Sequence, residues 1–172
     1  GAGRMVYGST ARGFKAGGFN AASPTGNEAY GAEYSWNYEG GFKSSWLGER
    51  LALNGAVFYL NWRDLQVNIP NPQVPGQFFI ANAGRATSKG LELELNARPM
   101  AGLDVFGGLG YTNARFGSGS VSSGVSVDGN QISNTPTFTA DAGVQYSRMV
   151  SSGVTAYGRA EVVSYGAFQY DD

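Results

Sequence analysis

Hydrophobic and polar residues alternate with a period of two along much of the chain, the pattern of β-strands whose successive side chains face opposite sides of a sheet. Four stretches carry it cleanly. In the first, Tyr34, Trp36, Tyr38, Gly40, Phe42, Ser44 and Trp46 hold one phase, while Ser35, Asn37, Glu39, Gly41, Lys43 and Ser45 hold the other. From Gly90 to Arg98, Leu91, Leu93, Leu95 and Ala97 alternate with Glu92, Glu94, Asn96 and Arg98. From Thr137 to Tyr146, Phe138, Ala140, Ala142, Val144 and Tyr146 alternate with Thr137, Thr139, Asp141, Gly143 and Gln145. From Val154 to Val162 the same split recurs, with Tyr157, Arg159 and Glu161 on the polar phase. Three less regular strands are predicted at Met5 to Phe14, Leu51 to Gln66 and Leu103 to Arg115. The second of these has no readable phase, because Phe58, Tyr59 and Trp62 put large rings on both faces.

The connections add a second regularity. They alternate between long (15 to 33, 67 to 87, 116 to 135) and short (47 to 50, 99 to 102, 148 to 153), so short turns share one rim of the sheet and long loops the other. Outer-membrane barrels have this layout, with short periplasmic turns and long extracellular loops. A 13-residue strand rising ~3.3 Å per residue and tilted ~45° spans about 30 Å, the thickness of a hydrocarbon core. Tyr34, Trp36 and Trp62 fall near the long-loop rim and Trp46 and Tyr146 near the short-turn rim, as interfacial girdles would. Pro136 is expected to open the sixth strand and Pro99 to sit in a short turn.

Composition narrows the possibilities. Only 15% of the 172 residues are charged, 42% are hydrophobic and 13% aromatic, so apolar and polar residues must be finely interleaved. No run approaches the ~18 apolar residues of a transmembrane helix. Cysteine and histidine are both absent, which removes disulfides, thiolate and imidazole metal sites and the histidine-based triads. The formal net charge of -1 gives no basic footprint for nucleic acid. The alternative of a soluble sandwich or lipocalin-like barrel fits poorly, since soluble strands usually run ~5 to 6 residues and these run ten or more. Seven strands are an odd number with two free edges, and the chain starts at Gly1-Ala2-Gly3 and stops at Tyr170-Asp171-Asp172, so the reading is of a fragment. The expected fold is therefore all-β: an antiparallel up-and-down meander of about seven long strands, forming an open arc of a larger barrel.

At this point particular strings stand out in order: GFKAGGFN (13 to 20), YEGGFKSSW (38 to 46), AVFYLNWRDLQV (56 to 67), NAGRATSKGLELEL (82 to 95) and NTPTFTADAGVQY (134 to 146). As a set they resemble the β-barrel domain of TonB-dependent outer-membrane receptors, in its C-terminal part and of the siderophore-receptor-like kind. Gly40 departs from the pattern, standing where the family usually has an apolar residue. The resemblance implies a transmembrane barrel of about 22 strands with a plugged lumen, of which residues 1–172 are one piece without the plug domain or the terminal strands. It implies a bacterial outer-membrane receptor, not an enzyme and without a cofactor, monomeric when complete and embedded in outer-membrane lipid. Such a receptor imports a scarce nutrient with force from the TonB complex, delivered through the plug. A ferric siderophore or a similar chelate is the expected cargo, and a passive porin-like channel is the alternative.

Two groups of residues are candidates for that work. On the polar phase, Glu39, Lys43, Glu92, Glu94, Arg98, Asp104, Asp141, Arg159 and Glu161 are expected to face the lumen and the plug. Cross-strand pairing and hydration explain any one of them as well, and Glu92 and Glu94 need no catalytic role. In the long loops, Phe14, Lys15, Phe19, Asn20, Asn68, Gln77, Phe78, Phe79 and Arg85 combine rings, cations and amides suited to an anionic, often aromatic chelate. Packing of the rings within the loops is the plainer alternative. The glycines at 107, 108 and 110 lack the strand-to-helix context of a phosphate cradle and are expected to ease strand packing.

Overall fold

The computed structural model describes residues 3–82, 84–122 and 125–169, so the terminal residues on which the expectation of a truncated chain drew (Gly1, Ala2 and 170–172) lie outside the described residues. In chain order the strands are β1 (Arg4–Lys15), β2 (Gly18–Phe19), β3 (Ala29–Tyr30), β4 (Glu33–Trp46), β5 (Leu51–Arg63), β6 (Gln66–Pro70) and β7 (Phe78–Asn82). They continue with β8 (Arg85–Met100), β9 (Leu103–Phe116), β10 (Val121–Ser122), β11 (Val125–Ser126), β12 (Phe138–Ser151) and β13 (Val154–Tyr165). The seven long strands form one antiparallel sheet in the order β1-β4-β5-β8-β9-β12-β13, with β1 and β13 as edges. Each long strand lies beside the one before it. This is the expected meander, open as an arc.

Several boundaries differ from the sequence reading. The third long strand stops at Arg63, not Gln66, because Asp64 takes a left-handed backbone (φ 57) and Gln66 starts a separate strand. The long loops are partly ordered as small hairpins, β2 with β3, β6 with β7 and β10 with β11. Pro99 lies within β8, not in a turn, at the register shift between Ala97 and Met100 where a missing amide breaks no regular ladder. Pro136 precedes β12, which begins at Phe138.

The register settles the phase that β5 leaves open. Ser35 pairs with Trp62, Glu39 with Phe58 and Lys43 with Asn54, so the even-numbered residues of β5 share the face of the β4 charges. Trp62 therefore stands on the polar face and is not part of an outer aromatic girdle, whereas Tyr59 joins Tyr38 on the opposite face, their ring centroids 6.5 Å apart. That opposite face carries Val57, Leu91, Leu93, Leu95, Leu109, Val144 and Val162. All remain exposed, Leu91, Leu93 and Leu95 at 42%, 39% and 41%. A sheet face of this size and polarity does not stay in water. It matches the lipid-facing wall of a transmembrane barrel.

Rings are seated on glycines across the ladder. Tyr7 pairs with Gly41, Phe42 with Gly55, Phe58 with Gly90 and Phe106 with Gly143, and in each pair a Cβ on the glycine would meet the partner's ring at under about 3 Å. Glycine here makes room for a flat ring against the neighbouring backbone, which keeps both faces of the sheet smooth. Every buried side chain among the described residues, from Phe79, Ala86 and Ser88 to Ala114, Phe116, Ser120 and Val127, lies at the long-loop end. The protein's interior packing is concentrated there, above the sheet's lipid-matched span.

Candidate functional site: a braced loop cluster over a polar sheet face

Amide side chains and backbone hydrogen bonds hold the long loops together. The Asn20 side chain donates to the carbonyls of Asn27 and Ile80 (both 2.8 Å) and accepts the Ile80 amide (2.8 Å), which ties the first loop to the β6–β7 hairpin. Asn82 accepts the Gly31 amide (2.6 Å) and donates to the carbonyls of Gly31 (3.0 Å) and Asp64 (2.7 Å). Gln66 donates to the carbonyls of Ala16 (2.9 Å) and Gly31 (3.0 Å), and its amide donates to Glu33 (2.9 Å). The third loop docks through Ser120, whose hydroxyl accepts the Arg85 amide (3.1 Å) and donates to the Arg85 carbonyl (2.9 Å). Asp128 closes that loop on itself by accepting the amides of Gly119 (3.1 Å) and Ser120 (2.8 Å). Several of these bonds, those of Asn20, Glu33 and Ser120 among them, are part-buried, and together they hold a surface that would otherwise fluctuate.

Within the first loop Glu28 accepts the Gly26 amide, and this bond holds its carboxyl below the ordinary value. A depressed folded-state pKa stabilises the turn at pH values above the unfolded pKa, and that support is lost as pH falls through the lowered one.

The loop candidates separate by environment. Phe79 is buried at 7% exposure and packs the hairpin, and Asn20 is occupied as a brace. Phe19 and Phe78 project into solvent at 85% and 62% exposure. Asn68 pairs with Ile80 and Phe78 with Pro70, which places Asn68 and Phe78 on one face of the hairpin with exposed Gln77 at its tip. Asn20, bonded to the same Ile80, brings Phe19 to this neighbourhood. Phe14, Lys15 and Arg85 stand apart from that group. Phe14 pairs with Tyr34 on the apolar face, Lys15 with Glu33 on the polar face, and Arg85 with Arg63 on the apolar face.

Replacing Asn20 with alanine removes three bonds at once and leaves the Ile80 amide and carbonyl without those partners. Local opening of the β6–β7 hairpin is expected to become easier by about 2 kcal/mol. Hydrogen exchange at residues 78–82 should rise while that of β5 and β8 stays unchanged; equal exchange in both variants would show that the brace carries no stability.

The polar-phase candidates Glu39, Lys43, Glu92, Glu94, Arg98, Asp104, Asp141, Arg159 and Glu161 fall on one face of the sheet. Tyr7 donates to Glu39 (2.7 Å), and with Lys43, Asn54, Glu92 and Glu94 these line a shallow polar hollow. Asn54 donates to Glu94 (3.3 Å), Arg98 pairs with Asp104 (2.8 Å), and Arg159 pairs with Glu161 (2.7 Å) while lying 4.4 Å from the Phe106 ring centroid. No group of carboxylates able to hold a metal ion occurs among the described residues.

One set of charges escaped the sequence reading. Seven cations, Arg4, Arg12, Arg63, Arg85, Lys89, Arg115 and Arg148, lie on the apolar face, while every carboxylate of the long strands among the described residues is on the polar one. No long strand carries more than two of them, so no single strand shows the pattern.

Known proteins place this architecture. The chain aligns with the ferric yersiniabactin uptake receptor FyuA of Yersinia pestis at 25% identity and a TM-score of 0.78, covering 98% of this chain and 24% of that one. Against P. aeruginosa FpvA, solved with a ferric pyoverdine, identity is 20% and the TM-score 0.60, with 92% of this chain and 20% of the other covered. Against the alcaligin outer-membrane receptor FauA of Bordetella pertussis, identity is 21% and the TM-score 0.57, with coverage of 94% and 27%. The chain thus spans about a quarter of the length of these receptors. The family model described as TonB dependent receptor-like, beta-barrel matches residues 2–172. With its lipid-matched apolar face, charged opposite face and loops gathered at one rim, the chain belongs to the TonB-dependent receptor β-barrel family, whose members are proteins of the bacterial outer membrane.

Proposed function

We propose that the protein is an outer-membrane receptor that captures a ferric siderophore or a similar chelate at its long-loop rim and imports it with energy from the TonB complex. The chain supplies part of the wall of a barrel of about 22 strands whose lumen holds a plug. The nine polar-face candidates, from Glu39 to Glu161, face that lumen, where paired carboxylates and cations hold water against the plug. The observation that carries this reading is the braced loop cluster, standing on a charged face whose reverse is apolar. Likeness to a ferric yersiniabactin uptake receptor along nearly the whole chain supports iron as the cargo.

A chelate binds here through Phe19 and Phe78, which stack on its aromatic or apolar parts, and through the amides of Asn68 and Gln77. Changing both phenylalanines to serine in the complete receptor is expected to weaken chelate binding about tenfold or more. Phe79→Ser should instead loosen the loop without a selective effect. The test is uptake of radioactive iron as a panel of ferric chelates by cells carrying the complete receptor, with and without an intact TonB complex. Uptake that ignores the TonB complex, together with ion conductance in planar bilayers, would establish a passive channel instead.

A further inference from the structure

We propose that Asn82 and Gln66 are positioning residues that lock the first two long loops into one preassembled cargo-binding face, which a chelate meets without either loop closing on it. The claim deepens the receptor reading above and rests on it. The first loop leaves β1 after Lys15 and enters β4 at Glu33, and the second leaves β5 after Arg63 and enters β8 at Arg85. Two amide side chains tie all four of these legs together at their base. Asn82, on the returning leg of the second loop, bonds the amide and the carbonyl of Gly31 on the returning leg of the first and donates to the Asp64 carbonyl on the outgoing leg of its own. Gln66 follows Asp64 and donates to the carbonyls of Gly31 and of Ala16, the latter on the outgoing leg of the first loop.

Bonds at one level would leave a hinge, but these loops are joined at two. The first loop meets β7 at Asn82 through Gly31 and again at Ile80 through Asn20, about 7 Å further along the strand. Between these attachments β3 lies beside β7. The legs of the first loop also touch backbone to backbone, since a Cβ at Gly17 would collide with the Tyr30 carbonyl oxygen and with Gly31. Where the second loop turns away from β5, Asp64 is left-handed (φ 57), and the bond from Asn82 to its carbonyl closes the corner at which the hairpin would otherwise swing. Phe19 adjoins Asn20, while Asn68 and Phe78 belong to the hairpin that Asn20 grips, so the latch sets the spacing of cargo groups drawn from both loops. Groups already in place lose less freedom when the chelate arrives. Asn20, Gln66 and Asn82 are neutral, so salt does not weaken their bonds as it would screen an ion pair.

The experiment uses the complete receptor in cells with an intact TonB complex and follows the uptake rate of radioactive iron against chelate concentration. The probe is whichever chelate of a catecholate, hydroxamate and phenolate panel the native receptor imports best. Asn82→Ala and Gln66→Ala are each expected to raise the half-saturating concentration about tenfold and to leave the maximal rate as it was, because the chelate must then order the loops itself. A Cβ at Gly31 would lie 3.9 Å from Asn82 Cγ, so cysteines at these two positions can close a disulfide. The oxidised receptor with Gly31→Cys and Asn82→Cys should bring the half-saturating concentration back toward the native one at an undiminished maximal rate, and reduction should restore the shift seen in Asn82→Ala. A maximal rate that collapses on oxidation overturns the proposal, since it means that the loops part during uptake. Unchanged half-saturation in alanine variants that form heat-modifiable barrels overturns it too, as do cysteines that fail to pair in the folded receptor. Should the alanine variants not reach the membrane, the cysteine pair decides alone. Native uptake that ignores the TonB complex sinks the receptor reading instead, a result separate from any of these.

Discussion

Leu93→Arg is expected to cost the complete barrel about 2–4 kcal/mol, the penalty for a cation near the midplane on a lipid-facing strand. Leu93 sits mid-strand in β8, between Gly55 and Leu109 on the apolar face, where the described residues offer no carboxylate to an arginine. The neighbouring residue supplies the control. Glu94 lies on the polar face and accepts only a 3.3 Å bond from Asn54, so Glu94→Arg should cost about 1 kcal/mol or less. Denaturant unfolding of the receptor in lipid vesicles, read by tryptophan fluorescence and by gel mobility without heating, measures both. Similar costs at the two positions would mean that the apolar face does not contact lipid.

The second large effect concerns the glycines that seat aromatic rings. A side chain at Gly90 would run into the Tyr111 carbonyl oxygen of the adjacent strand as well as the Phe58 ring, whereas the three atoms nearest a Cβ at Gly143 all belong to the Phe106 ring. Gly90→Leu is accordingly expected to destabilise the barrel by about 3 kcal/mol, since backbone cannot swing aside, and Gly143→Ala by about 1 kcal/mol. Removing the ring separates the two cases. Phe106→Ala should absorb most of the Gly143→Ala penalty, while Phe58→Ala should leave most of the Gly90 penalty in place. A double-mutant cycle on unfolding free energies gives the answer, and full rescue at both positions would show that the Tyr111 backbone yields after all.

These effects also show how unequally the sequence exposes its structure. In β8 the leucines and glutamates alternate without interruption, so the strand and the identity of its two faces can be read from residues 90–98 alone. In β5 the rings at Phe58, Tyr59 and Trp62 give no such signal, and pairing with Glu39, Tyr38 and Ser35 decides which ring points where. The loop strands, of two residues in β2, β3, β10 and β11 and five in β6 and β7, are too short to show a clear period, which is why the loops read as irregular chain. Among the loop candidates, the sequence recognised the mixture of rings and amides but not its division of labour. Phe78 and Phe79 are identical and adjacent, and only the hairpin's alternation exposes one and buries the other.

The sequence by itself determined the number of long strands, the alternation of long and short connections, and the membrane-matched character of the alternating strands. Those follow from local period and length, which each segment carries within itself. The tertiary structure decided the face of Trp62, the bracing of the loops through Asn20 and Ser120, and the gathering of seven strand cations on the apolar face. Arg63 and Arg85 are far enough apart in sequence to look unrelated, and they become neighbours only because hydrogen bonding between β5 and β8 fixes a register that no single strand contains.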